Sequence, residues 1–367
     1  MINTYLNKQD VVMVFIAAAI GYFAVLAGYW QFSLWGQVND IYVQGWSVLS
    51  LFQSWHPHAL RYLIVYPIYV FADLWGIEPN MLFSWIGMIM VIAIPIFLFY
   101  AVRIYGMSLR FAQIFCGIAG AIYFFLAMFM NGRMIFAHLG VAILLFAIIA
   151  SMQIVNRSMV LLSALLIVIG ALFCSVSTGV FAVAYSLLGV SLLYELFLIV
   201  KKQGQWLKIL LMMATLLMMT PWMLMGVNKN ISFFGGGVEG SVEMLAHGSG
   251  QVILESIRPD LVKEAQSRSV KQTVNSPESS DEIPPHIKKI VGYTSILFFI
   301  MMILISPLWL RGEPNKMIVG VGLMLALILG QLGLSTLTLV LPIGLVFLSV
   351  LIYERLAFMG KFKANIY

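Results

Sequence analysis

The chain has 367 residues, of which 62% are hydrophobic and only 10% charged, with a formal net charge of +6. A soluble domain carries about 25% charged and about 45–50% apolar residues, so this composition excludes a soluble globular protein. The basic residues sit in short segments between apolar runs, where they orient a membrane protein and give no reason to expect a nucleic-acid partner.

Ten apolar runs are long enough to cross a bilayer, which needs about 20 residues for each helical span. They occupy residues 11–30, 81–102, 111–130, 134–155, 158–176, 180–200, 207–226, 290–310, 317–333 and 335–353. The sequence therefore predicts an all-α, polytopic integral membrane protein with ten or eleven transmembrane helices. Cys116 and Cys174 lie inside such runs without the spacing of metal ligands, so we expect them to be packing residues.

The segment between the first two runs is ambiguous. Residues 41–55 are aromatic and amphipathic, as an interfacial helix is. Residues 59–76 are apolar but contain Arg61, Pro67 and Asp73. A charge inside the bilayer costs a few kcal/mol or more, which favours interfacial or re-entrant helices over an eleventh span.

The distribution of lysine and arginine tests the topology. If the N-terminus is cytoplasmic and residues 31–80 remain external, ten spans result and both termini are cytoplasmic. Twelve basic residues outside the loop 228–289 then face the cytoplasm: Lys8, Arg103, Arg110, Arg157, Lys201, Lys202, Lys208, Arg311, Lys316, Arg355, Lys361 and Lys363. Only Arg61 and Arg133 are left outside. In the rival topology residues 59–76 span and the N-terminus is external, which moves Lys8 out and Arg61 in, so the count does not separate the two.

Residues 228–289 form one large hydrophilic loop that is external in both topologies. It holds eight acidic and seven basic residues and is therefore nearly neutral. We expect a short helix at 252–270 and a mobile tract at 271–285. The chain thus divides into a first membrane part at 1–227, this loop, and a second membrane part at 290–367.

The two external arginines are the strongest candidates for chemistry. Arg133 ends the turn 131–133 between two spans, with His138 about one and a half helical turns further on. Arg61 lies three residues after His58, on the same face of a predicted helix. The planar guanidinium fork donates two hydrogen bonds at once, which suits phosphate, and histidine exchanges protons near neutral pH.

Structural roles compete with each of these assignments. An arginine at a helix end also reaches lipid headgroups. His138 could simply hydrogen-bond a neighbouring helix, and His56 and His58 could be ordinary interfacial residues.

Three further polar residues are candidates. Asp40 could act as a general base on an attacking sugar hydroxyl, or it could cap the N-terminus of a helix over 41–55. Arg258 and His247 are the loop residues that could fold over an external site, although solvated surface is the default for both.

The order of elements resembles that of a known group of membrane enzymes. One span is followed by Asn39-Asp40, an aromatic amphipathic helix, the stretch HPHALRYLIVYPIYVFADLWGIEPN (56–80) and a run of spans. This is similar to membrane glycosyltransferases of the GT-C type, which carry an acidic residue in the first external loop. Within that group, NGRMIFAHLGVAILLFAII (131–149) and the late external loop resemble bacterial polysaccharide polymerases, the Wzy and EpsG-like proteins. The turn 131–133 lacks the second external acid of many GT-C transferases, which favours the polymerases.

The resemblance implies a function and its partners. The expected enzyme joins undecaprenyl-diphosphate-linked oligosaccharide repeat units at the external face of the bacterial inner membrane, without metal or cofactor. It implies diphosphate binding by Arg133, Arg61 and Arg258, with acid–base or acceptor-positioning roles for His138, His58, His56 and Asp40. Besides lipid and the glycan substrates, a chain-length regulator protein is an expected partner. The alternatives are a GT-C glycosyltransferase or ligase that adds one glycan, and, in another class, a transporter of lipid-linked glycans or small molecules.

Overall fold

The computed structural model describes residue 34 and residues 36–127, 132–153, 157–200, 206–233, 344–346, 349–350 and 352–353. Within these residues the chain forms helices joined by short turns, and no strand is present. The helices are α1 Gly36–Val43, α2 Val48–Gln53, α3 Ala59–Trp75, α4 Pro79–Tyr105, α5 Leu109–Ala127, α6 Gly132–Gln153, α7 Arg157–Cys174, α8 Thr178–Val200 and α9 Trp206–Phe233. The all-α class is confirmed for this part of the chain.

Four of these helices contain stretches long and apolar enough to cross a membrane: Pro79–Tyr105, Gly132–Ser151, Gly179–Leu196 and Trp206–Asn228. They coincide with four of the predicted spans. Shorter apolar stretches, Leu109–Tyr123 and Leu161–Cys174, occupy two more. The predicted spans 11–30, 290–310 and 317–333, and most of 335–353, lie outside the described residues, as do the predicted loop helix and mobile tract.

The ends of α4 show how local sequence sets helix length. Pro79 occupies the first helical position, where its missing N–H costs nothing because that donor has no intrahelical partner. Gly106 ends the helix at φ 114°, and its N–H is donated to the carbonyl oxygens of Val102 and Arg103. Glycine is the residue that adopts this left-handed conformation without strain.

Two expectations about segment ends are corrected. A turn at Gly45, which has φ 72°, divides the predicted interfacial helix 41–55 into α1 and α2. Asp40 lies in the middle of α1, which begins at Gly36, so the prediction that it caps a helix N-terminus is wrong. Helix α9 continues to Phe233, and its membrane-length apolar stretch ends at Asn228, next to the predicted start of the external loop.

The described chain divides into two compact units. The first contains residues up to 48, residues 61–173 and residues from 342, and the second contains residues 49–60 and 174–341. In the first unit α4 packs against both α5 and α6, and α6 is buried along almost its whole length. In the second unit α8 packs against α9.

Aromatic and glycine contacts fix the packing of the first unit. The ring of Phe136 stacks on Phe83 of α4 at 5.8 Å and meets Phe173 of α7 edge-on at 5.4 Å. Gly170 of α7 lies so close to α6 that a Cβ there would stand 3.0 Å from the Gly140 carbonyl oxygen. Small residues at such crossings let helix backbones approach closely, as is common in membranes.

Candidate functional site

Arg61 and Arg133 come together in the first unit although 72 positions separate them in the sequence. Arg61 lies in the first turn of α3 and Arg133 in the first turn of α6. Both side chains are half-buried. Burial, and secondarily the nearby Arg133 guanidinium, lower the pKa of Arg61 to about 10. Arg61 therefore remains charged at neutral pH.

This arginine pair carries a concentrated positive charge. The N-terminus of α6 adds the partial positive charge of its exposed N–H groups, equivalent to about half an elementary charge. A helix N-terminus joined by guanidinium groups favours an anion with several oxygens, and phosphate meets that description. The arrangement can therefore bind a phosphate or diphosphate group.

The electrostatic proximity of Arg61 and Arg133 also constrains the direction of α3. Its C-terminal end joins α4 through a three-residue connection, and the beginnings of α4 and α6 adjoin through Phe83 and Phe136. A helix packed antiparallel beside α4 would carry Arg61 about 20 Å below the level of Arg133. Among the described residues, α3 therefore does not pack antiparallel along α4.

His138 is placed inside the first unit and is fully buried. Its Nδ1 lies 3.2 Å from the Tyr123 hydroxyl on α5, and the two rings meet edge-on at 5.4 Å. The interpretation that His138 hydrogen-bonds a neighbouring helix is thus confirmed. A side chain closed off in this way is placed to hold α6 against α5.

A cluster of tyrosines and carboxylates, which sequence reasoning missed, joins α1 and α3. The rings of Tyr42 and Tyr69 stack at 4.3 Å with an interplanar angle of 15°. The Tyr42 hydroxyl donates a hydrogen bond to Asp73 Oδ2. Burial, with additional contributions from nearby groups that include the Asp40 carboxylate, raises the pKa of Tyr69. Asp40, a predicted site residue, therefore lies beside aromatic rings on the same unit as the arginine pair.

A spacing signal could have revealed this cluster. Tyr62, Tyr66, Tyr69 and Asp73 recur at helical intervals and share one side of α3. Tyr62 is the buried anchor of the series, since its hydroxyl donates to the Trp46 carbonyl oxygen at 3.0 Å.

His56 and His58 belong to the second unit, where they lie in the turn between α2 and α3. The His58 N–H donates to His56 Nδ1 at 3.2 Å. In the same segment, the rings of Phe52 and Trp55 lie 5.2 and 5.7 Å from the ring of Trp222 on α9. The segment 49–60 is thereby fixed to the C-terminal half of α9.

The second unit also contains a buried ion pair between α8 and α9. Lys208 Nζ and Glu195 Oε1 are 3.5 Å apart, with 8% and 3% of their side chains exposed. Glu195 lies near the end of α8 and Lys208 near the start of α9, beside the connection of these helices. This position suits a contact that sets the register of a helical hairpin.

The other two predicted site residues, Arg258 and His247, lie outside the described residues. No family model, curated protein sequence or solved structure matches the chain. The described residues nevertheless define a class, an all-helical fold with four helices long and apolar enough to cross a membrane.

Proposed function

We propose that the chain polymerises undecaprenyl-diphosphate-linked oligosaccharide repeat units into a surface polysaccharide at the external face of the bacterial inner membrane. The observation that carries this proposal is the juxtaposition of Arg61 and Arg133. Two half-buried cations repel each other and lose hydration. A site that holds two such cations is therefore suited to a ligand with at least two negative charges. A lipid diphosphate supplies those charges at the membrane surface.

The reaction needs a leaving-group site and a base. The acceptor hydroxyl oxygen forms a bond to the anomeric carbon of the donor glycan and gives up its proton. The bond from that carbon to the diphosphate breaks, and its electron pair departs with the diphosphate. Arg61 and Arg133 stabilise the departing charge, and Asp40, an exposed carboxylate of the same unit, takes the proton. His138 is buried and contacts Tyr123 on α5, so its role is to position α6 and, through α6, Arg133.

Two contacts support ten spans over eleven. The eleven-span topology puts Arg61 in the cytoplasm and Arg133 outside, whereas these residues are neighbours. It also puts residues 49–58 in the cytoplasm, whereas Trp55 contacts Trp222. Trp222 lies about 24 Å along α9 from Trp206, near the end that enters the external loop. Both contacts favour an external segment 31–80 and a cytoplasmic N-terminus.

A pair of matched cysteines tests this topology. Ser54 and Ser108 are both exposed, and serine-to-cysteine exchange changes little in size. In a background without Cys116 and Cys174, we expect a membrane-impermeant maleimide added to intact cells to label Ser54→Cys and not Ser108→Cys. Labelling of neither from outside would support the eleven-span topology and separate the two arginines, whereas labelling of both would contradict both topologies.

A reconstituted assay tests the function. Purified full-length protein in nanodiscs is given lipid-linked repeat units, and the products are separated by length. We expect a ladder of glycans from the wild type and from Arg110→Ala, an exposed arginine of the predicted cytoplasmic side. Arg133→Ala should express normally and form no ladder. An unaltered ladder from Arg133→Ala would refute the role of the arginine pair.

The same assay separates the alternatives. Addition of a single glycan unit identifies a transferase or ligase. Absence of any new glycosidic bond, with movement of lipid-linked units across a vesicle bilayer, identifies a transporter. Among the described residues, the buried Glu195–Lys208 pair lies at helix ends, whereas transporter sites lie near the bilayer midplane.

A further inference from the structure

One polar group, the Tyr69 hydroxyl, has no assigned role in the cluster formed by Asp40, Tyr42, Tyr66, Tyr69 and Asp73. The Tyr69 side chain is completely buried, and its hydroxyl has no hydrogen-bond partner among the described residues. An unpaired hydroxyl removed from water costs stability unless a ligand or water satisfies it. The Tyr69 hydroxyl can donate one hydrogen bond and accept others.

The surroundings of this hydroxyl narrow the chemistry of its ligand. Asp40 and Asp73 are exposed carboxylates that accept hydrogen bonds, while Tyr42 and Tyr66 are half-buried rings 6.4 Å apart between centroids. The two carboxylates repel an anion. Aromatic faces pack against apolar C–H groups, and a few polar groups fix orientation. A neutral ring that has apolar C–H faces and carries hydroxyl groups matches all of these surroundings.

We propose that this cluster is a subsite for a neutral sugar, in which Tyr42 and Tyr66 pack on the sugar ring, Asp40 and Asp73 accept its hydroxyls, and the Tyr69 hydroxyl donates to one of its oxygens. In the polymerisation reaction the cluster would hold the acceptor sugar, and this assignment rests on the proposed function. Tyr69 lies eight positions after Arg61 on α3, which corresponds to about 12 Å along the helix. The anion site and the sugar subsite are thus separate regions of one helix with opposite charge.

The first experiment measures binding to an array of neutral oligosaccharides by purified full-length protein in nanodiscs. We expect the wild type to bind a subset of the array, and Tyr69→Phe to bind it about tenfold more weakly, which corresponds to 1.4 kcal/mol. Asp73→Asn should also weaken binding. If the wild type binds none of the neutral glycans, or Tyr69→Phe binds as the wild type does, the sugar subsite is disproved.

A matched tyrosine on the same helix separates binding from folding. Tyr62→Phe loses the hydrogen bond to Trp46, so it should lower thermal stability without changing glycan binding. Tyr69→Phe removes an unsatisfied hydroxyl, so its thermal stability should equal or exceed that of the wild type. A loss of stability in Tyr69→Phe would show that the hydroxyl has a structural partner and would overturn the proposal.

A second probe distinguishes failure of the subsite from failure of the proposed function. Binding of inorganic pyrophosphate reports on the arginine pair, so Arg133→Gln should lose it while Tyr69→Phe retains it. Pyrophosphate binding and polymer formation without any effect of Tyr69→Phe would refute the sugar subsite alone. Neutral-glycan binding that depends on Tyr69, with no polymer and no pyrophosphate binding, would refute the polymerase and leave a sugar-binding cluster.

Discussion

Replacing Arg133 with glutamine should make the unliganded protein more stable and abolish its response to pyrophosphate. The pKa of Arg61 falls from 12.5 to about 10 in the folded chain, and each pKa unit corresponds to about 1.36 kcal/mol. Holding the Arg61 charge in place therefore costs about 3 kcal/mol. Burial is the larger cause and Arg133 the smaller. Removing the Arg133 charge should therefore return less than half of that cost.

The sign of the pH dependence follows from the lowered pKa of Arg61. Between pH 10 and pH 12.5 the unfolded chain binds more protons than the folded one, so the cost disappears as the pH rises through that window. Below pH 10 the full cost is present. At pH 7 an anion that binds the pair offsets it, and a ligand at 100 times its Kd stabilises a protein by about 2.7 kcal/mol.

The assay is thermal unfolding of purified protein followed by tryptophan fluorescence, with and without pyrophosphate. The wild type and Arg110→Gln should both gain stability from pyrophosphate. Arg133→Gln should start from a higher midpoint and gain nothing. If Arg133→Gln is instead less stable and still responds to pyrophosphate, the two guanidinium groups do not share an anion site.

Three further predictions concern packing. Gly170→Ala should destabilise the protein by about 1–3 kcal/mol because its Cβ would meet backbone atoms of α6, which cannot move aside as a side chain can; Gly117→Ala, with open space at its Cβ, should be neutral or slightly stabilising in the same unfolding assay. Tyr123→Phe should cost about 1–3 kcal/mol because His138 loses its buried partner, yet polymer formed per folded molecule should be unchanged, and a selective loss of activity would restore a catalytic role for His138. Trp222→Ala should accelerate proteolysis of the segment that precedes α3, because two aromatic contacts are lost; an unchanged cleavage rate would show that these contacts do not hold it.

Four of the spans predicted from hydrophobic length coincide with helices long and apolar enough to cross a membrane, because the bilayer sets a physical minimum for that length. The predicted span 81–102 corresponds to α4 at Pro79–Tyr105, and the remaining differences at its ends come from a proline and a glycine. The interfacial segment was harder to predict. Its aromatic pattern continues across Gly45, while the positive φ that ends α1 depends on backbone conformation and leaves no trace in hydropathy.

The sequence likewise predicted some features of the candidate site and not others. The predicted charge bias singled out Arg61 and Arg133 from the sequence alone, and the structure brings the two together in one unit. The partner of His138 was not visible, because Tyr123 lies on another helix and no local pattern encodes that contact. The buried state of Tyr69 was missed for a different reason, because tyrosines beside a membrane segment usually indicate the interfacial belt. The helical spacing of these tyrosines could have predicted that they share one face of α3.

The burial pattern of α3 explains why one short helix could serve both the anion site and the sugar subsite. One stripe of the helix, with Tyr62, Val65, Tyr69 and Ala72, is completely buried, while Leu63, Phe71, Leu74 and Trp75 are exposed. An exposed apolar face on a short helix whose other face is buried is suited to the boundary between headgroups and hydrocarbon. A polyprenyl-linked glycan spans that boundary, with its chain in hydrocarbon, its diphosphate among the headgroups and its sugars in water. A helix at this depth can meet all three parts of such a substrate, whereas a helix that crossed the bilayer would present most of its length to lipid.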